Sequence, residues 1–124
     1  MIYVQDAIHI YEVLIDKFGG SKGIRDIGLL ESALSRPFQT FDQKELYSEP
    51  IEKAAALIES ILINHPFVDG NKRIGYVLMR LLLLEYGLDI SASQDEKYEF
   101  VINIAKGTFS FPQIVDWLKE KIKT

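Results

Sequence analysis

Between Ile74 and Leu84 the chain reads Ile-Gly-Tyr-Val-Leu-Met-Arg-Leu-Leu-Leu-Leu, with Arg80 the only charge. A helix built from that run has almost no polar face to show water, so it has to sit in the middle of a bundle of other helices. The run is too short, and Arg80 too costly, for a membrane span. The remaining segments read as the helices that cover it. Ala7, Ile8, Tyr11, Leu14, Ile15 and Phe18 fall at helical spacing and Gly19-Gly20 stops them. Asp26 is placed to cap a short helix through Leu29, Leu30, Ala33 and Leu34, which Arg36-Pro37 ends. Pro50 suits the first turn of a helix that turns Ile51, Ala54, Ala55, Ile58, Ile61 and Leu62 inward and runs into His65-Pro66. The central helix is predicted from about Asn71 to Tyr86, ended by Gly87.

Two capping-box spacings, Ser93 with Glu96 and Ser110 with Gln113, open a helix up to Gly107 and an amphipathic tail over Ile114 to Ile122. Phe38 to Tyr47 has no helical period and is predicted to be an irregular loop or a small hairpin flap. The expected fold class is therefore all-α, a compact bundle of about six helices with a short flap and no strong strand. No repeat or linker divides the 124 residues, so one domain over 1–124 is expected.

Composition narrows the function. Hydrophobic residues at 48% and charged residues at 26% are those of a chain that folds by itself. A net charge of −4 opposes a surface made to neutralise many phosphates, so direct DNA or RNA binding is not expected. The chain has no cysteine, which excludes thiolate chemistry and cysteine zinc sites. Met1 to Asp6 lacks a signal-peptide pattern, and the expected location is cytoplasmic, away from a membrane.

One segment concentrates chemistry. His65, Asp69, Asn71, Lys72 and Arg73 bring a base, a carboxylate, an amide and two cations together where two apolar helices meet. The first turn of a helix carries unpaired N–H groups and the positive end of the helix dipole, and already favours an anion. Cations placed there act against the dipole unless a phosphate chain supplies negative charge, and Arg73 is able to grip phosphate oxygens in pairs. Gly70 allows close approach of the backbone. Asp69 is a hard oxygen ligand of the kind Mg²⁺ takes beside substrate phosphates. A histidine at position 65 can take a proton from a hydroxyl near neutral pH. These roles together describe phosphoryl or nucleotidyl transfer from a nucleoside triphosphate. Against them stand plainer readings: Asp69 or Asn71 as helix caps, Lys72 and Arg73 as a solvated pair. Pro66 and Phe67 read as structural, with Phe67 holding the loop to the core.

The string His65-Pro-Phe-Val-Asp-Gly-Asn-Lys-Arg73 resembles the signature of the Fic/Doc family. Phe18 to Pro37, with its Gly-Gly-Ser-Lys-Gly-Ile-Arg-Asp core, and Glu52-Lys-Ala-Ala-Ala56 are similar to further segments of the death-on-curing (Doc) branch. The resemblance implies a Fic-type helical fold whose flap, near residues 38 to 47, helps to position a target peptide. It implies His65 as the general base, Asp69 as the Mg²⁺ ligand, and Gly70, Asn71, Lys72 and Arg73 as the nucleotide-binding turn. The adenylylating branch carries a small glycine where Lys72 stands and a second arginine where this chain has Tyr76. Both departures resemble the Doc branch, whose members transfer the terminal phosphate of ATP and not AMP, to a threonine of elongation factor Tu. The alternatives weighed beside this kinase toxin are an AMP transferase of the same fold and a catalytically silent binding module. Ser48-Glu-Pro-Ile-Glu-Lys53 lacks the last small residue of a self-inhibitory helix, so the implied inhibitor is a separate antitoxin docking a helix near the site.

Overall fold

The computed structural model describes residues 1–123. Six helices carry the fold: α1 (Val4–Phe18), α2 (Ile27–Ser35), α3 (Pro50–Asn64), α4 (Asn71–Glu85), α5 (Gln94–Ala105) and α6 (Phe111–Lys121). The all-helical expectation holds. Four strands of two residues each are added: β1 (Thr40–Phe41) with β2 (Lys44–Glu45), and β3 (Asp89–Ile90) with β4 (Ile122–Lys123), both pairs antiparallel.

At the centre α3 packs on α4. Ala54, Ala55, Leu57, Ile58, Ile61 and Leu62 of the first, and Ile74, Leu78, Met79, Leu82 and Leu83 of the second, are buried together. Each fully buried Leu or Ile contributes on the order of 2 kcal/mol over its exposed state, so this pair dominates the core. The central helix is less enclosed than its sequence suggests, for Leu84 is exposed. Tyr11 and Ile15 of α1, Leu30 of α2, Phe100 of α5 and Leu118 of α6 close the core from the sides. Trp117 stacks on Phe100 at 3.8 Å and ties α6 to α5.

The expected caps form. The Asp26 carboxylate accepts from the Leu29 N–H, and Glu96 and Gln113 reach back to the N–H groups of Ser93 and Ser110. The flap is a hairpin in which Thr40 faces Glu45 across Asp42-Gln43. Both turn residues have positive φ, 52° and 65°, as a tight turn matching strand twist requires. Its base is pinned by two cations that the sequence pattern did not single out. Buried Lys53 donates to Glu45 at 2.9 Å and to the Tyr47 carbonyl. Arg36 donates to the Tyr47 hydroxyl and Ser60 hydroxyl and pairs with Glu59. The Lys53 anchor lies near the start of α3, about 18 Å along the helix axis from His65 at its end.

Candidate active site

α3 ends at His65, whose backbone adopts the left-handed conformation (φ 52°, ψ 64°) while its N–H still bonds the Ile61 carbonyl. That cap turns the chain out of the helix and exposes the imidazole. The ring Nδ1 lies 3.1 Å from the Ile63 carbonyl oxygen. A carbonyl only accepts, so this bond places the neutral ring's proton on Nδ1 and leaves the Nε2 lone pair available to a base's task. Arg25 fastens the same corner: its Nε–H donates to the His65 carbonyl at 2.6 Å and its terminal nitrogen to the Asn64 carbonyl. Carbonyls that the end of α3 leaves without helical partners are thereby satisfied.

The loop from Pro66 to Gly70 is held from beneath by residues 19–26. The Pro66 carbonyl accepts from the N–H groups of Arg25 and Asp26, and the Val68 N–H donates to Gly23. Phe67 is buried and stacks on Tyr11 at 3.9 Å, the anchoring role expected of it. The Tyr11 hydroxyl lies 2.9 Å from the Asp69 carbonyl and accepts from the Gly23 N–H.

Asp69 is turned so that Oδ2 accepts from the Ser21 N–H at 3.1 Å and Oδ1 from the Gly70 N–H at 2.8 Å. The Ser21 bond foremost, then the Gly70 bond, with the charges of Arg73 and Lys72 adding, holds its carboxyl below the usual carboxylate range. Gly20 makes room for this: at φ +119° it would place a Cβ only 2.8 Å from Asp69 Oδ2. Gly70, at φ +79°, is the cap of α4 and has no side chain to offer the first turn. No described side chain caps the helix, so the N–H groups at its start face the loop.

Asn71 is the residue whose placement differs most from the sequence-based picture. Its amide is buried, with Oδ1 accepting from the Phe67 N–H at 3.0 Å and Nδ2 donating to the Phe67 carbonyl at 2.9 Å. The side chain closes the loop on itself, and what Asn71 turns toward the loop is backbone. Arg73 rests its guanidinium over the Phe18 ring at 4.9 Å and reaches the Gly19 carbonyl at 3.4 Å.

His65, Asp69, Gly70, Asn71, Lys72 and Arg73 all line one cleft of about 350 Å³. A second, more apolar cleft of about 380 Å³ adjoins it between α4 and α5, and Lys72 and Arg73 border both. Tyr76 lines the second cleft with its hydroxyl buried and without a partner among the described residues; burial pushes that hydroxyl above the ordinary phenol range. Tyr11, Gly20, Ser21 and Arg25 were not singled out as site residues from sequence. For Gly20 and Ser21 the Gly-Gly-Ser-Lys-Gly run was the one local signal, and nothing in it reveals which distant loop it will meet.

The Fic/DOC family model matches residues 2–83, about two thirds of the chain. The chain belongs to the Fic/DOC family. It is 40% identical over 78 residues to Toxin Doc of Mycolicibacterium smegmatis, a match that takes in 63% of this chain and 60% of that protein. It is 34% identical over 101 residues to a Fido domain-containing protein of Dictyostelium discoideum, across 77% of this chain and 68% of the other. The chain thus spans 60% and 68% of the length of these two relatives. No described helix is long and apolar enough to cross a membrane.

Proposed function

We propose that residues 1–124 act as one Doc-type unit that transfers the terminal phosphate of ATP to a hydroxyl side chain of another protein. One observation carries the reading: a histidine whose Nδ1 is engaged by the Ile63 carbonyl lines the same cleft as a carboxylate, an uncapped helix start and two cations. In this reading Nε2 of His65 takes the hydroxyl proton, the hydroxyl oxygen forms a bond to the terminal phosphorus, and the bond from that phosphorus to the bridging oxygen breaks, releasing ADP. Gly70, Asn71 through its backbone, Lys72 and Arg73 bind the phosphates and orient them for attack.

The Asp69 donor set fits Mg²⁺. It is one exposed, ionised carboxylate whose two N–H contacts leave further lone pairs, which suits a cation that arrives already bound to phosphates. When bound, that ion neutralises charge on the transferring group. Among the described residues no cluster of three or more carboxylate or imidazole side chains competes for it.

By its resemblance to Doc, and with Toxin Doc among its relatives, the chain is read as a toxin whose target is elongation factor Tu and whose partner is an antitoxin helix near the cleft. Intact-mass spectrometry of elongation factor Tu, after incubation with the protein, Mg²⁺ and ATP, tests this. A gain of one phosphate that His65→Ala abolishes is expected. A gain of one AMP would replace the kinase reading with adenylylation, and no gain would reject this target.

A further inference from the structure

Arg73 stands where its own helix does not favour a cation. It belongs to the first turn of α4, at the positive end of that helix's dipole. Among the described residues no carboxylate pairs with it. What holds the side chain is the opposite end of another helix. α1 stops at Phe18 with Gly19 as its cap, and the last carbonyls of a helix carry the negative end of its dipole. Arg73 Nη1 donates to the Gly19 carbonyl at 3.4 Å, and the guanidinium lies over the Phe18 ring with its central carbon 4.9 Å from the ring centre. Phe18 takes no part in the core. It is 56% exposed, so burial of its own apolar surface does not account for an aromatic ring at this place. Lys17, its chain neighbour, is the other cation over the same ring, at 5.4 Å.

We infer that Phe18 is a positioning residue, an aromatic platform that holds the Arg73 guanidinium at the rim of the cleft with donors left over for phosphate. This deepens, and rests on, the reading of Arg73 as a phosphate-binding group. A guanidinium over a ring is attracted by the negative face of the π-system, and the attraction leaves the N–H groups in the guanidinium plane free to make hydrogen bonds. One of the five N–H groups goes to Gly19, and the others remain for phosphate oxygens. A carboxylate partner would behave differently, because it would occupy those donors and have to be displaced before phosphate bound. The ring has nothing to surrender. It also settles a long, rotatable side chain before the ligand arrives, so less freedom is lost on binding. Arg73 borders both clefts beside α4, so a guanidinium fixed at this point is within reach of a ligand in either. Leucine at position 18 would offer apolar surface without a quadrupole, and is therefore the substitution that separates a platform from a greasy contact.

ATP with Mg²⁺ is titrated calorimetrically into the full chain, Phe18→Leu, Phe18→Trp, Arg73→Ala and the double variant Phe18→Leu/Arg73→Ala, and circular dichroism melts establish that each is folded. An exposed cation–π contact is worth about a two- to fivefold change in a binding constant, so Phe18→Leu is expected to weaken ATP by that factor while Phe18→Trp binds at least as tightly as the unaltered chain. In the Arg73→Ala background Phe18→Leu is expected to add no further loss, which assigns the contact to Arg73 and not to Lys17. A second readout needs no ligand. The proton on Arg73 Nε should resonate upfield under the ring current of the unaltered chain and of Phe18→Trp, and move downfield in Phe18→Leu. ATP held as tightly or more tightly by Phe18→Leu, a tryptophan variant as weak as the leucine one, or equal losses in both backgrounds would overturn the assignment. An ATP affinity that ignores Arg73→Ala overturns it together with the phosphate role of Arg73. The two readings otherwise fail separately. ATP affinity that needs Arg73 and ignores Phe18 removes the platform and leaves the proposed function. The expected binding pattern without transfer to any protein removes the proposed function and leaves the platform.

Discussion

Replacing Asn71 separates a role in holding the loop from a role in binding nucleotide. Its amide makes two bonds to Phe67, at 3.0 and 2.9 Å, in a place almost closed to water. Asn71→Ala removes both and leaves the Phe67 N–H and carbonyl unpaired. Each buried backbone group stripped of its partner costs about 1–3 kcal/mol, and some water entry at the truncated side chain softens the sum, so a loss of ~2–4 kcal/mol is expected. For a chain of this length that lowers Tm by on the order of 10 °C. Urea unfolding followed by circular dichroism measures it. Asn71→Asp is the finer probe, since the carboxylate still accepts from the Phe67 N–H but faces the Phe67 carbonyl without a proton to donate. Protonation restores the donor, so the new carboxyl's folded pKa is raised. Its deficit is therefore full at neutral pH and shrinks as pH falls through that raised pKa. An Asn71→Ala protein that loses less than about 0.5 kcal/mol while its nucleotide affinity drops sharply would refute the reasoning and return the side chain to the ligand.

Three further outcomes are expected. Asp69 has a depressed pKa, so its contribution to stability is complete above the unfolded value and disappears as pH falls through the folded one. Melts of the unaltered chain and Asp69→Asn should therefore converge below roughly pH 4, and a gap that persists into acid would argue against the Ser21 and Gly70 bonds. Gly20→Ala forces a Cβ against Asp69 Oδ2 at an unfavourable φ, and should destabilise by ~1–3 kcal/mol and weaken Mg²⁺-dependent nucleotide binding; a neutral effect on both would contradict the close packing. Arg25→Ala frees the carbonyls of Asn64 and His65, and should reduce kcat more than it raises KM for ATP, because it loosens His65 without touching the phosphate turn; a pure KM effect would contradict that.

Much of the architecture was legible in the residues because it is local. The Asp26, Glu96 and Gln113 caps, Pro50 at the head of α3 and the breaks at Gly19 and Gly87 all act within a turn of where they stand. The apolar run of α4 announced a central helix, although Leu84 is exposed and a cleft between α4 and α5 opens beside Tyr76. The two-residue pairing of β3 with β4 escaped notice, since a bridge between Ile90 and Ile122 has no periodicity to read.

The site divides along the same line. Its candidate residues lie in nine consecutive positions, so the sequence by itself determined that a histidine, a carboxylate and the cationic start of α4 stand together, and that these resemble Fic/Doc. Tertiary structure alone decided how each is used. It brought residues 19–26 beneath the loop, so that the Ser21 N–H favours the ionised form of Asp69 and Arg25 holds the His65 carbonyl. It turned the Asn71 amide inward, where it pairs both the N–H and the carbonyl of buried Phe67. It also set Lys97 and Tyr98 across from Lys72, a meeting that requires α5 to fold back on α4 and that no short-range pattern encodes.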